Sequence, residues 1–68
     1  SRAPNGGYYQ DSKSITIYYH NESNMYVKNV LLHELKHNWC WIHEKVVNFD
    51  HKGCFLSTPI DKEYGYVP

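Results

Sequence analysis

From Met25 onward no glycine or proline appears until Gly53, and a stretch of that length without a breaker has few options other than a helix. The polar connection His20-Asn21-Glu22-Ser23-Asn24 ahead of it offers several side chains able to cap a first turn. The pattern predicts one helix over about Met25 to Phe49, ended by Asp50-His51-Lys52-Gly53, where Gly53 can take φ > 0. On a helical wheel Leu31, Leu35, Trp39, Ile42, Val46 and Phe49 fall within about 80° of one another. His33 and His37 point roughly the opposite way, together with Tyr26, Cys40 and Glu44. The expectation is therefore a helix with two working faces, one packed on the rest of the chain and one flooring a cleft.

The cleft face carries Leu31-Leu32-His33-Glu34-Leu35-Lys36-His37, an H-E-x-x-H pattern inside an apolar run. Residues four apart on a helix are about 40° apart around it and roughly 6 Å along it. His33 and His37 can thus hold one metal ion, with Glu34 beside it as a base. A shuffled chain of this composition would contain the pattern by accident in about 2% of cases.

Two imidazoles do not complete a zinc site, since a catalytic zinc takes three protein ligands and keeps a fourth position for water, whereas a structural zinc is closed by four. His51, just past the expected helix end, is the preferred third ligand. His43 is the alternative, giving H-E-x-x-H-x-x-C-x-x-H. On a continuous helix, however, His43 lies about 80° from His33 and 120° from His37. Asp50, Cys54, Glu63 or another chain remain further options. Cys40 shares the histidine face but sits about 10.5 Å along the axis from His33, too far for one shared ion. His20 reads as a solvated loop residue. With three ligands and an open position, zinc polarises a water, Glu34 takes its proton and passes it to a leaving amine, and peptide hydrolysis is the result. Tyr64 and Tyr66 are candidate oxyanion donors, and nothing in their spacing selects one.

Sixty-eight residues allow one small domain, whose modest core commonly relies on a metal, a disulfide or a partner. Seven Lys and Arg balance seven Asp and Glu, which argues against nucleic acid as a direct partner. Seven Tyr, two Trp and two Phe suggest cleft walls and contact surfaces, some of them covered by another chain. No segment approaches the roughly 18 apolar residues of a membrane span. The run Ser1-Arg2-Ala3-Pro4-Asn5 lacks a signal peptide's apolar region, and a start on Ser suggests a processed chain or a fragment. Cys40 and Cys54 are open to a bridge, two free thiols or metal ligation, and for Cys40 the plain reading is a buried, inert side chain.

Upstream, Pro4-Asn5-Gly6-Gly7 is a run of turn formers, Tyr8-Tyr9 opens a short strand, and Gln10-Asp11-Ser12-Lys13 reads as a polar turn. In Ser14 to Tyr19 the alternation places Ile15, Ile17 and Tyr19 on one face and Thr16 and Tyr18 on the other, so Gly6 to Tyr19 is expected to be a hairpin. Its edge is open to packing on the helix, to a neighbouring protein, or to an added peptide strand. Ser57 to Pro68 holds too many breakers for a regular element. The expected fold class is α+β: an N-terminal β-hairpin packed on one long active-site helix with an irregular C-terminal segment, residues 1 to 68 forming one domain.

The block Gly6-Gly7-Tyr8-Tyr9, the strand Ile15-Thr16-Ile17 and Val30 to His37 about twenty-five residues past the glycines together resemble the mitochondrial ATP-synthase-processing metallopeptidase family, a zincin family. Val46 and Phe49 fall where that family has an apolar pair, and His51-Lys52-Gly53-Cys54 resembles its H-x-A-C segment. The SprT-like metallopeptidases are a weaker match, through the long helix and His51 followed by Phe55. The resemblance implies a minimal zincin-like domain and a zinc peptidase in the mitochondrial intermembrane space, peripheral to the inner membrane. Such an enzyme removes the presequence of a membrane-sector ATP synthase subunit and aids assembly of that sector. His33 and His37 are then ligands and Glu34 the catalytic base. The chain departs from the family at Cys40, where an acidic residue is usual, and at Phe55-Leu56-Ser57-Thr58-Pro59, which replaces S-E-I-R-A. Those departures give a second expectation, a catalytically inactive, peptidase-derived structural or assembly subunit of a larger complex, with zinc structural or absent.

Overall fold

The computed structural model describes residues 2–3, 6–9 and 14–66. Its order is β1 (Arg2–Ala3), β2 (Gly6–Tyr9), β3 (Ser14–Ile17), α1 (Asn24–Glu44), a 3-10 turn (Gly53–Leu56) and α2 (Ile60–Tyr64). This is the expected α+β arrangement of hairpin and long helix, with two additions. The short β1 pairs with β2 to give an antiparallel sheet ordered β1-β2-β3, and the segment from Ser57 on, expected to be irregular, carries α2, preceded by the 3-10 turn.

In the hairpin Gly6 pairs with Ile17, Gly7 with Thr16, Tyr8 with Ile15 and Tyr9 with Ser14. Gly6 and Gly7, expected in a turn, lie in the strand, for a steric reason at Gly6. A Cβ there would sit 2.7 Å from the Thr16 carbonyl oxygen and 2.9 Å from Val30 Cγ1, so the sheet reaches α1 only because this residue has no side chain. The strand ends at Ile17, which leaves Tyr18 and Tyr19 outside it and exposed. The expected turns at Pro4-Asn5 and Gln10 to Lys13 lie outside the described residues.

Helix α1 opens at Ser23, whose Oγ accepts from the Tyr26 N–H at 3.2 Å, satisfying one first-turn donor. It ends at Glu44, five residues before the expected Phe49. Lys45 takes the left-handed conformation with φ 56° and donates its N–H to the Trp41 carbonyl at 3.0 Å. Val46 and Val47 follow, β-branched residues with reduced helix propensity. Three further left-handed residues, Asn48, His51 and Gly53, turn the chain back on itself. A disulfide between Cys40 and Cys54, Cα atoms 6.0 Å apart, closes the return. A helix continued to Phe49 would carry Cys54 away from Cys40 at about 1.5 Å per residue, so the bridge and the early stop belong together.

The return also reverses which face of α1 is covered. Leu31, Ile42, Val46 and Phe49, expected to pack inward, are exposed, and Leu35 and Trp39 are half-buried beside Ile60 and Tyr64. The histidine side is the covered one, because the disulfide draws the 3-10 turn and Phe55 onto it. Among the described residues the apolar core is small, made of Val30, Leu32, Cys40, Phe55 and Ile60, and the largest fully buried side chains are Lys36, His37, Glu34 and Cys40. Charged and polar groups rarely fill an interior unless they are paired or used. No helix among the described residues is long and apolar enough to cross a membrane.

Candidate metal centre

The i, i+4 spacing on α1 sets His33 and His37 one above the other, with their Nε2 atoms 3.3 Å apart. The left-handed residues and the disulfide bring His51 against them from the return loop. Each pair of the three rings has its centroids 4.9 Å apart. One ligand-type atom from each lies within 4.8 Å of the others, and the three can hold a metal ion. Two imidazole nitrogens bound to one tetrahedral zinc at 2.0–2.1 Å stand about 3.3 Å apart, which is the separation found between His33 and His37.

The donor set fits a cation in charge as well as in shape. Burial pushes His33 down to about 4, helped by the neighbouring His51 and Lys36. Burial likewise pushes His37 down to about 3, with His33 and His51 adding to it and the Val47 backbone acting the other way. Both rings are therefore neutral at pH 7, with lone pairs available to a metal. His51 Nε2 is buried without a hydrogen-bond partner among the described residues, and a coordinate bond is one way to satisfy such an atom.

Around the triad, Glu34 is fully buried with Oε2 3.9 Å from His33 Nε2, which places a carboxylate beside the cluster. Phe55 sits beneath all three rings, its centroid 4.7 to 5.0 Å from each. Lys36 is 1% exposed and pairs with Asp61 at 2.8 Å. Its Nζ also lies 4.1 Å from the Phe55 centroid and 4.2 Å from that of Tyr66. Tyr66 places its Oη 3.3 Å from His33 Nδ1, and burial raises its hydroxyl above the usual tyrosine value, with Asp61 and Glu34 adding to the rise.

Of the residues singled out in the sequence, His33, Glu34, His37 and His51 are thus brought together, and Tyr66 joins them. His43 is not: its ring stacks on Trp39 at 4.2 Å and its Nδ1 donates to the Trp39 carbonyl at 2.9 Å, on the exposed side of α1. Cys54 is committed to the disulfide. Asp50 accepts from the Lys52 N–H, and Glu63, Tyr64 and His20 are exposed. Sequence reasoning missed Asp61 and gave Lys36 and Phe55 no part in the site. The one available signal was a lysine inside the H-E-x-x-H run, since position 36 lies between the two ligands in sequence and must find a partner if its face is covered.

Fold and site together define a small α+β domain with a three-histidine centre on a single long helix and its disulfide-closed return. Comparison with protein-family models, curated proteins and solved structures gives no match.

Proposed function

We propose that this chain is a zinc-dependent metalloendopeptidase domain of the zincin type. The observation that carries the reading is the convergence of His33, His37 and His51 with the Glu34 carboxylate beside them. Imidazole donors suit several transition metals, and zinc is chosen because H-E-x-x-H on a helix pairs two zinc ligands with a base. A bound zinc supplies a polarised water and Lewis-acid stabilisation of a developing oxyanion. Glu34 accepts the proton of the attacking water and returns it to the leaving amine. His33, His37 and His51 would hold the ion, and His33, whose side chain keeps 17% of its exposure, lies toward the open side.

The glycine-tyrosine block, the H-E-x-x-H core and His51-Lys52-Gly53-Cys54 support an affiliation with the mitochondrial ATP-synthase-processing metallopeptidases. On this reading the domain works in the intermembrane space, peripheral to the inner membrane. It acts on a presequence and engages subunits of a larger membrane-associated complex. A structural disulfide suits an oxidising compartment.

A second reading, an inactive peptidase-derived assembly subunit, is favoured by two observations. Glu34 and His37 are closed off from solvent, and Ile42, Phe49 and Leu56 are left exposed. Elemental analysis with a peptide-hydrolysis assay separates the two. The peptidase reading expects one zinc per chain and hydrolysis that disappears in Glu34→Gln with zinc retained. An unchanged rate in that variant removes Glu34 from the mechanism, and zinc held without hydrolysis in the parent chain favours the assembly subunit.

A further inference from the structure

The site's outer contacts form a closed circuit that H-E-x-x-H chemistry does not require. From α1, Lys36 reaches Asp61 on α2 at 2.8 Å. The Asp61 carbonyl accepts the Tyr66 N–H at 3.2 Å after the left-handed Gly65 has reversed the chain. The Tyr66 ring then lies over Lys36 Nζ, and its Oη meets His33 Nδ1 at 3.3 Å. The circuit leaves α1 at residue 36 and returns to it at residue 33, one turn away on the helix.

Its end point matters because the two nitrogens of His33 face different groups. Nε2 faces His37 Nε2 at 3.3 Å, inside the triad, and Nδ1 faces the Tyr66 hydroxyl. A neutral imidazole carries one proton, and a nitrogen can ligate only if the proton is on the other. An acceptor at Nδ1 settles that choice in favour of Nε2 as ligand.

We propose that Tyr66 is a positioning residue for the metal centre: its oxygen accepts the Nδ1–H of His33, turns Nε2 toward the ion, and is held in place by the Lys36–Asp61 pair. The inference rests on the metal-centre reading and adds to it a contact from the C-terminal segment, thirty-three residues along the chain from His33. Tyr66 touches no reacting atom in this role. With its oxygen accepting, its own O–H is left to donate elsewhere.

The test uses the full chain and Zn²⁺ alone, titrated in competition with a chromophoric chelator, together with ¹⁵N NMR of the histidine rings in the metal-free protein. Tyr66→Phe keeps the ring over Lys36 and removes only the hydroxyl. It is expected to weaken zinc binding by about 10- to 100-fold and to move the His33 proton from Nδ1 toward Nε2, with far-UV circular dichroism unchanged. Lys36→Met, which frees Tyr66 without removing it, is expected to give a smaller loss in the same direction. Parental affinity and an unshifted His33 tautomer in Tyr66→Phe overturn the proposal. If the parent chain binds no zinc, the metal-centre reading itself fails. If the parent binds zinc and His37→Ala abolishes binding while Tyr66→Phe does not alter it, only the role of Tyr66 is lost.

Discussion

His33 and His37 are unusual residues to leave uncharged in a core, and their titration has a direct cost for the metal-free protein. Both are depressed from the ordinary value of 6.5, to about 4 and about 3. The unfolded chain therefore binds protons that the folded one refuses between pH 6.5 and those lower values, and stability falls with pH across that window. It is fully present above pH 6.5. Urea titrations at pH 7.5 and pH 5 are expected to show a lower midpoint at pH 5 without metal. His33→Gln is expected to flatten the difference, and equal midpoints in the parent chain would refute it. Lys36 is buried as well, with Asp61 as its ion-pair partner. Removing Asp61, its one-third-exposed partner, strands a buried ammonium, so Asp61→Ala is expected to destabilise by about 3 kcal/mol, measured by chemical denaturation. A hydrophobic replacement of both partners is expected to cost far less.

At the scale of elements, what could be read from the sequence was whatever a single element fixes. His33, Glu34 and His37 share α1, so helix geometry alone determines their spacing, and the alternation in Ser14 to Ile17 likewise marks a strand. The end of α1 was not legible, because Lys45 supplies a left-handed cap where glycine is the usual signal and the constraint that enforces it is a covalent link to Cys54. The covered face was misread for a related reason. The aliphatic stripe of Leu31, Ile42, Val46 and Phe49 is the more hydrophobic, but the disulfide and the Lys36–Asp61 pair deliver both C-terminal turns to the other side. Two substitutions probe these junctions. Gly6→Ala inserts a methyl group against Thr16 and Val30 and is expected to destabilise by about 1–3 kcal/mol in thermal or urea melts. Cys40→Ser with Cys54→Ser opens a loop of sequence separation 14 and is expected to remove about 3 kcal/mol.

Across the whole molecule, few apolar side chains among the described residues are buried, and the disulfide and the proposed metal centre meet at one place. His51, the candidate ligand not on α1, lies within the segment closed by Cys40 and Cys54. Metal and disulfide should therefore reinforce each other, since anything that frees the loop withdraws a ligand. Zinc at a thousandfold excess over its Kd stabilises the native state by about 4 kcal/mol. Thermal melts with and without zinc, each with and without reductant, are expected to show a smaller zinc-induced rise in Tm once the bridge is reduced. Equal rises would show that His51 holds its place without the bridge.

The bridge also decides what a protease can do to this chain. Lys45, Phe49 and Lys52 are all exposed on the segment between Cys40 and Cys54, so they are natural sites for a cut. A nick there opens the backbone without dividing the molecule: one piece keeps the sheet, His33 and His37, the other keeps Tyr66, with His51 on the second piece after a cut at Lys45 or Phe49 and on the first after a cut at Lys52, and the sulfur–sulfur link carries the two as a pair. Trypsin-nicked protein should run as one band without reductant and as two with it.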